Sequence, residues 1–525
     1  MRTWLAQVVF RSPLYLRYVL DGPIPSQLHA FPCHLPGDRT QADAILAEEF
    51  LFFGRRVPFA GKPWTMLPPG PRLARALHGF TWLRDLEAVG TDAARARALA
   101  LVMNWIAVNR RWTQPAWAPA VLGERLASWL ATAHFLLEGA SGDDRVRFLE
   151  ATGRQARHLA RVSPRMQRNE EVFAALAGEI AAAVSLRVVP LAPPLRRLET
   201  EIGRQIAADG GHASRNPSTQ LHVFRHLVDI HAALANAGET GSSVVAGAIE
   251  RMAPMLRALR HGDGRLALFQ GAKESDRTVI DSLLAAGRVG TAALSSAPDT
   301  GYERLVAGRT LVLVDTGVPA ENGHAAPLAF ELSHGRERII VNCGAYGGDD
   351  PRWRRALQST PAHSTLSVAD AGAVERPGLG RRSLRVQHLR QEAEGAVWLE
   401  GSHDGYRRRY GLTHRRRLFL AANGGDLRGE DTLEGKRGRG FRIRFHLHPD
   451  IQAASSEDGA SVLLHTATGA AWRFLAVGGT LSLEESTYLG ASDQPRPCRQ
   501  IVVAGSTAKD GARVKWALRQ DSGAS

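Results

Sequence analysis

The stretch Asp209–Ser218, DGGHASRNPS, sets a histidine, an arginine and an asparagine within five residues, with Gln220 and His222 close behind. An imidazole exchanges protons near neutral pH. A guanidinium fork matches a carboxylate. A primary amide donates hydrogen bonds without carrying charge. Gly210 and Gly211 can end one helix, and Asn216 or Ser214 can cap the next. A helix N-terminus also attracts anions. The stretch therefore reads as a pair of caps that carries more hydrogen-bonding side chains, His212, Arg215 and Asn216 among them, than a helix connection needs.

Other candidates lie further on. His324 sits in ENGHAAP, His363 in PAHST and Asn342 in VNCG. His446 and His448 in FHLHP share one face of a strand, a possible metal pair without a visible third ligand. Cys33, Cys343 and Cys498 are too sparse and far apart for a cysteine zinc site or a disulfide framework. Trp112 and Trp117 flank a turn, although packed helix core is the commoner fate of tryptophan.

The elements that must position these residues fall into two textures. From about residue 70 to about 290, apolar residues recur at helical spacing, as in TDAARARALALVMNWIAVNRRW and STQLHVFRHLVDIHAALANAG. Short polar turns join the segments, which predicts antiparallel helical hairpins. After about residue 300 the chain turns to short runs such as RTLVLVDTG, RIIVNCG, FRIRFHLHP and RQIVVAG, punctuated by Gly, Asp and Asn. The expected division is an N-terminal extension over 1–69, a helical domain over 70–298 and an antiparallel β domain over 299–525.

The chain has 525 residues and a formal net charge of +14, with Arg greatly outnumbering Lys. Such a charge bears on partners, and it points to a polyanion. No helix-turn-helix, RNA-binding or zinc-finger signature supports nucleic acid. No apolar run reaches the ~18 residues of a membrane span. The opening segment shows no clear signal peptide.

Four motifs in order resemble the heparinase II/III family of bacterial polysaccharide lyases: HAAPLAFELSHGRERIIVNCGAYGG, RRALQSTPAHSTLSVAD, GSHDGYRRRYGLTHRRRLFL, and GEDTLEG with FRIRFHLHP. The resemblance implies an α+β architecture, an incomplete α/α toroid of helical hairpins followed by a large antiparallel β-sandwich. It implies an acidic, uronate-containing glycan as partner and a place in the cell envelope or periplasm, with the cytoplasm as the alternative. It also implies β-elimination. A base removes the C5 proton, a donor neutralises the uronate carboxylate, and an acid helps the C4–O bond break.

On this resemblance Asn216, His212, Tyr302 and His324 are the catalytic candidates, with Asn216 or Arg215 at the carboxylate. Arg215, Gln220, His222, Trp112, Trp117 and Tyr406 are candidate substrate contacts. His324, His363 and Asn342 stand at the family's zinc positions, but two imidazoles with an amide make a poor zinc set, Cys343 could complete it only with a shifted strand register, and no cofactor is expected. Three departures stand out. Phe269 and Gln270 occupy the region where the family carries its proton-transfer tyrosine, leaving Tyr302 or Tyr406 as substitutes. The first histidine of the family's His-x-His-x-Asp turn is Asn322 here, and its aspartate is Ala326. A lyase with altered chemistry and a non-catalytic glycan-binding protein both remain open, and the discriminator is whether Tyr302 or Tyr406 converges with Asn216 and His324.

Overall fold

A computed structural model of the chain describes residues 8–59, 63–65, 70–239, 241–290, 292–320, 323–373, 384–435 and 438–521. Asn322 lies outside the described residues. The chain divides into two compact units, and the division does not follow the single seam expected from the sequence. One unit comprises residues 1–206, 222–250 and 281–289; the other comprises 207–221, 251–280 and 290–525. The loop that carries His212, Arg215 and Asn216 therefore belongs with the strands.

The first unit is helical, and its helices alternate direction as the hairpins of an incomplete α/α toroid. Local chemistry fixes their ends. Thr91 caps the helix Asp92–Val108 by accepting from Ala94 N, and Ser141 caps Gly142–Val162 by accepting from Asp144 N. The run PRLARALHGFTWLRDLEAVG forms two helices, Pro71–Gly79 and Leu83–Val89, because Phe80 takes a left-handed conformation between them. Helices Pro119–Ala131 and Glu171–Leu186 cross closely through two glycines. A β-carbon on Gly123 would come within 2.2 Å of Ala174 O, and one on Gly178 within 2.4 Å of Gly123 Cα. The second of these helices buries nearly every side chain, so its pattern is apolar all round.

The second unit holds two antiparallel sheets. One runs from Thr480–Tyr488 at one edge through Arg496–Ser506, Gly440–Leu447, Glu337–Val341, Phe330–His334, Thr310–Asp315 and Tyr302–Ala307 to Ser296–Ala297, with Leu366–Val368 paired to Gly440–Leu447. The other runs from Gln452–Ser455 to Val386–Ala393, with Ala512–Gln520 and Asp426–Gly435 at its centre. Alternating residues from both sheets fill the space between them. Phe330 stacks on Trp516 at 5.7 Å, and Phe445 and Phe474 close around the same ring. Each quoted β run of the sequence forms a strand.

Candidate functional site

The loop before helix Pro217–Asn236 is built by close contacts that only glycine permits. Gly210 lies at φ +83, where a β-carbon would fall 2.0 Å from Arg251 O; on Gly211 it would fall 1.8 Å from Thr300 Oγ1. Asp209 pins the loop by accepting from Thr300 N at 2.7 Å and from Thr300 Oγ1 at 2.5 Å.

Asn216 caps the helix. Its Oδ1 accepts from Ser218 N at 2.8 Å and Thr219 N at 3.1 Å. Those two bonds fix the amide's orientation, so Nδ2 faces the other way and donates to Gln270 O at 2.9 Å. An amide nitrogen has two hydrogens. The second has no acceptor among the described residues, and Asn216 is half-buried.

Gln270 and Gly271 follow each other in left-handed conformation, at φ +53 and φ +85. This turn brings Gly271 beneath two side chains. A β-carbon there would sit 3.0 Å from His324 Nε2 and 3.6 Å from Asn216 Nδ2. The hydrogen in its place lets the half-buried Gly271 backbone pass close under both nitrogens, and this junction is the notch.

The hydrogen-bond network assigns the tautomers. His363 Nε2 lies 3.1 Å from Leu357 O and 3.2 Å from His324 Nδ1. A carbonyl only accepts, so His363 Nε2 carries the hydrogen and shares it. His324 Nδ1 is then the acceptor, and its own hydrogen rides on Nε2, facing the notch. Burial holds both rings neutral. It pushes His324 well below the ordinary histidine range, with His363 adding to the effect, and it lowers His363 to about 4. The notch therefore presents two N–H donors, one from a neutral amide and one from a neutral imidazole. Donors of this kind serve hydrogen-bond acceptors.

Arg215 is the support beneath this site. It is buried at φ +57. Its guanidinium donates to Thr300 O at 2.6 Å, Val318 O at 2.9 Å, Gly301 O at 2.9 Å and the carboxylate of Asp315. The other oxygen of Asp315 accepts from Gln270 Nε2 at 2.6 Å. Asp315 thus ties the two left-handed residues together, and through them Asn216 and Gly271. The expected role of Arg215 as a substrate contact gives way to an internal one, because its guanidinium is already bonded to protein oxygens. Gln220 is likewise internal. It accepts from His212 N at 2.8 Å and donates to Gly210 O at 2.9 Å. His212 is buried with Nδ1 against Ser214, at 2.8 Å from Oγ and 3.0 Å from N, and burial lowers it to about 4.

The two tyrosines do not join Asn216 and His324. The Tyr302 hydroxyl donates to Arg215 O, and its ring lies between Phe269 and the Arg215 guanidinium, at 5.4 and 4.9 Å. Burial raises its pKa far above that of a free phenol. Tyr406 sits in the β core and donates to Leu366 O at 2.7 Å. Trp112 packs on Phe10 and Arg11, and Trp117 donates to Asn109 O at 3.2 Å; both are buried in the helical unit. Trp117 edges a cavity of about 460 Å³ there, which contains none of the notch residues. His222 is exposed on its helix in the same unit.

Zinc does not fit these residues. His324 Nδ1 is engaged by His363 and its Nε2 bears hydrogen. Asn342 is turned away, donating to Glu331 Oε1 at 2.8 Å and accepting from Ser364 N at 3.0 Å. Cys343 Sγ lies 3.4 Å from His446 Nδ1. His446 does not pair with His448, since its ring nitrogens meet Ser486 Oγ and Pro361 O. Among the described residues no three His, Cys, Asp or Glu side chains gather as a metal site.

Gly271, Asp315 and Gln270 as a positioning residue were not foreseen from the sequence. The readable signals were an acid closing the apolar strand LVLVD and a glycine directly after Gln270.

Comparison with known proteins agrees with this build. Residues 289–517 match the heparinase II/III-like C-terminal domain. The chain is 32% identical to FtsZ-localized protein C of Caulobacter vibrioides (strain NA1000 / CB15N), covering 95% of this chain and 92% of that protein. Its fold is similar to a solved heparinase III, with a TM-score of 0.71, 14% identity and coverage of 96% and 88% of the two chains. It is also similar to a heparan sulfate lyase from Pedobacter heparinus, with a TM-score of 0.65, 17% identity and coverage of 93% and 83%. With the helical hairpins, the two sheets and the ordered motifs, these matches show that the chain belongs to the heparinase II/III family.

Proposed function

We propose that this protein binds an acidic, uronate-containing glycan on a polysaccharide-lyase scaffold, and that the notch at Gly271 holds the uronate carboxylate. The observation that carries this reading is the convergence of Asn216 Nδ2 and His324 Nε2 beside Gly271. Two charge-assisted hydrogen bonds to one carboxylate supply affinity without an adjacent cation. The net charge of +14 favours the approach of a polyanion. The commitment of Tyr302 and Tyr406 to backbone carbonyls favours binding without turnover, since β-elimination needs a base and an acid beside the carboxylate.

β-Elimination is the second reading, and the fold shared with solved lyases is what favours it. It would require a proton acceptor other than these phenols. The two readings separate in one experiment. Incubation with heparin, alginate or a similar acidic glycan is followed by retention on a glycan column and by ultraviolet absorbance of an unsaturated uronate. Retention released by salt, with no absorbing product, is expected. An absorbing product would establish the lyase, and equal retention of a neutral glycan would remove both readings. A cell-envelope location is proposed on the same family grounds, and cell fractionation tests it.

A further inference from the structure

Only one face of the second sheet is turned to the core. Its strands Val386–Ala393, Ala396–His403, Leu412–Leu420, Asp426–Gly435, Ala512–Gln520 and Ala471–Val477 lie side by side in that order. Val397, Leu399, Leu418, Leu427 and Leu518 point into the sandwich. The residues between them point the other way, and among the described residues nothing covers that outer face. Large apolar side chains stand in the open there: Leu389 is 60% exposed, Trp398 42% and Val477 76%. A solvated sheet face carries polar side chains, so these three mark a contact surface.

Strand register sets this face in two rows. One reads Trp398, Phe419, Arg428, Ala517, each directly across from the next. Trp398 packs on Phe419 at 4.7 Å, and the Arg428 guanidinium lies over Phe419 at 5.6 Å. The row is bulky at Trp398 and shallow at Ala517, and both line a groove of about 480 Å³. The row beside it reads Leu389, Glu400, Arg417, Glu430, Lys515, Val477. Its four charged members alternate in sign and cancel. Arg417 lies 2.6 Å from Glu400 and 3.5 Å from Glu430, and Lys515 lies 4.0 Å from Glu430. Arg428 and Arg519 in turn lie 2.6 and 3.5 Å from Asp426. On a chain of net charge +14 this face is close to neutral. It has little to offer a polyanion, and two copies can meet on it without repulsion.

Both rows are their own complement. A two-fold axis along the strands, between Leu412–Leu420 and Asp426–Gly435, lays each row against its own reverse. Glu400 then meets the second copy's Lys515, and Arg417 meets its Glu430. Phe419 meets its Arg428, a cation on a ring. The bulk of Trp398 meets the gap at its Ala517, and Leu389 meets its Val477. Six strands about 4.8 Å apart and about eight residues long present on the order of 800 Å² per copy, which is what a stable interface of standard size buries on each side. We infer that the outer face of the second sheet is an interface between two copies of this chain, related by that axis.

Sedimentation of the full chain over a concentration series up to about 100 μM tests the inference, with a melting curve to show that each variant is folded. The unaltered chain should sediment as a dimer of twice 57.0 kDa. Glu400→Lys sets a cation against the second copy's Lys515, and Lys515→Glu sets an anion against its Glu400. Each variant alone should dimerise about 10- to 100-fold more weakly. Mixed in equal amounts they should dimerise again, because the introduced lysine of one faces the introduced glutamate of the other, and the native pair remains on the far side of the axis. A change in the sheet's own stability cannot produce that rescue. Trp398→Ala alters no charge and should weaken the dimer by a similar factor, which decides the matter if a charge variant fails to fold. An unaltered chain that is monomeric throughout overturns the inference. So does a dimer that these substitutions leave intact, and so does a mixture of the two folded charge variants that stays monomeric.

Discussion

Asn216 Nδ2 and His324 Nε2 approach the same missing atom, lying 3.6 and 3.0 Å from where a β-carbon of Gly271 would stand. One comes from a helix cap and the other from a loop that packs against His363. Neither is charged, and each has its orientation fixed by bonds on its far side. The pair is preorganised, so a carboxylate entering the notch meets donors that need not reorient.

Filling the notch tests it directly. Gly271→Ala places a methyl group against both nitrogens and forces alanine to φ +85. The left-handed backbone should cost about 1–2 kcal/mol, and glycan binding should be lost beyond what that destabilisation explains. Calorimetric melting with a glycan titration separates the two. Full affinity in a folded Gly271→Ala variant would place the glycan elsewhere.

How much of this was legible in the sequence depends on what each residue answers to. The helices and strands followed from apolar periodicity, because each element buries one face or all of itself. A cap at Asn216 or Ser214 followed from their residue types, and only the structure assigns it to Asn216. Arg215 was misread as a ligand contact for a physical reason. A guanidinium near a glycine-rich turn suits an anion, and nothing local reveals Asp315, one hundred residues on, as that anion. Tyr302 was misread in the same way, since its partner is the backbone of Arg215 rather than any side chain. The notch itself was invisible because it is made by the absence of a side chain at Gly271.

Tyr302→Phe should leave glycan affinity unchanged. It removes a donor from Arg215 O and leaves that buried carbonyl short of a partner, at about 1–3 kcal/mol of stability. Thermal melting and a glycan titration on the same sample check it. A fall in turnover or affinity without loss of stability would restore Tyr302 to the site.

Acid should loosen the fold around the notch. His212 and His363 are lowered from 6.5 to about 4, and His324 is lowered as well, all chiefly by burial. Between those values the unfolded chain binds more protons than the folded one, so stability falls as pH drops from about 6.5 toward 4. His363→Gln should shallow that slope in a denaturant series between pH 4 and 7. An unchanged slope would mean other groups govern the acid transition.

Zinc content should stay well below one ion per chain after dialysis. The reason is geometric: the hydrogen on His324 Nε2 and the bonds of Asn342 to Glu331 and Ser364 leave no set of lone pairs facing one point. Atomic absorption on dialysed protein reads this. Stoichiometric zinc would require Asn342 or Cys343 to turn toward His363.

Asn216→Asp tests the central claim most directly. Aspartate caps a helix as well as asparagine does, but it also replaces the N–H that Asn216 donates to Gln270 O with a second acceptor, so some stability is lost and affinity is compared under conditions where both proteins are folded. It cannot donate, and it sets a negative charge in the notch. In a titration with an alginate hexasaccharide, the unaltered protein should bind and Asn216→Asp should bind at least about 10- to 100-fold more weakly, with salt weakening the unaltered complex. Equal affinity in the two folded proteins would contradict the account, because the carboxylate would then not be held by Asn216.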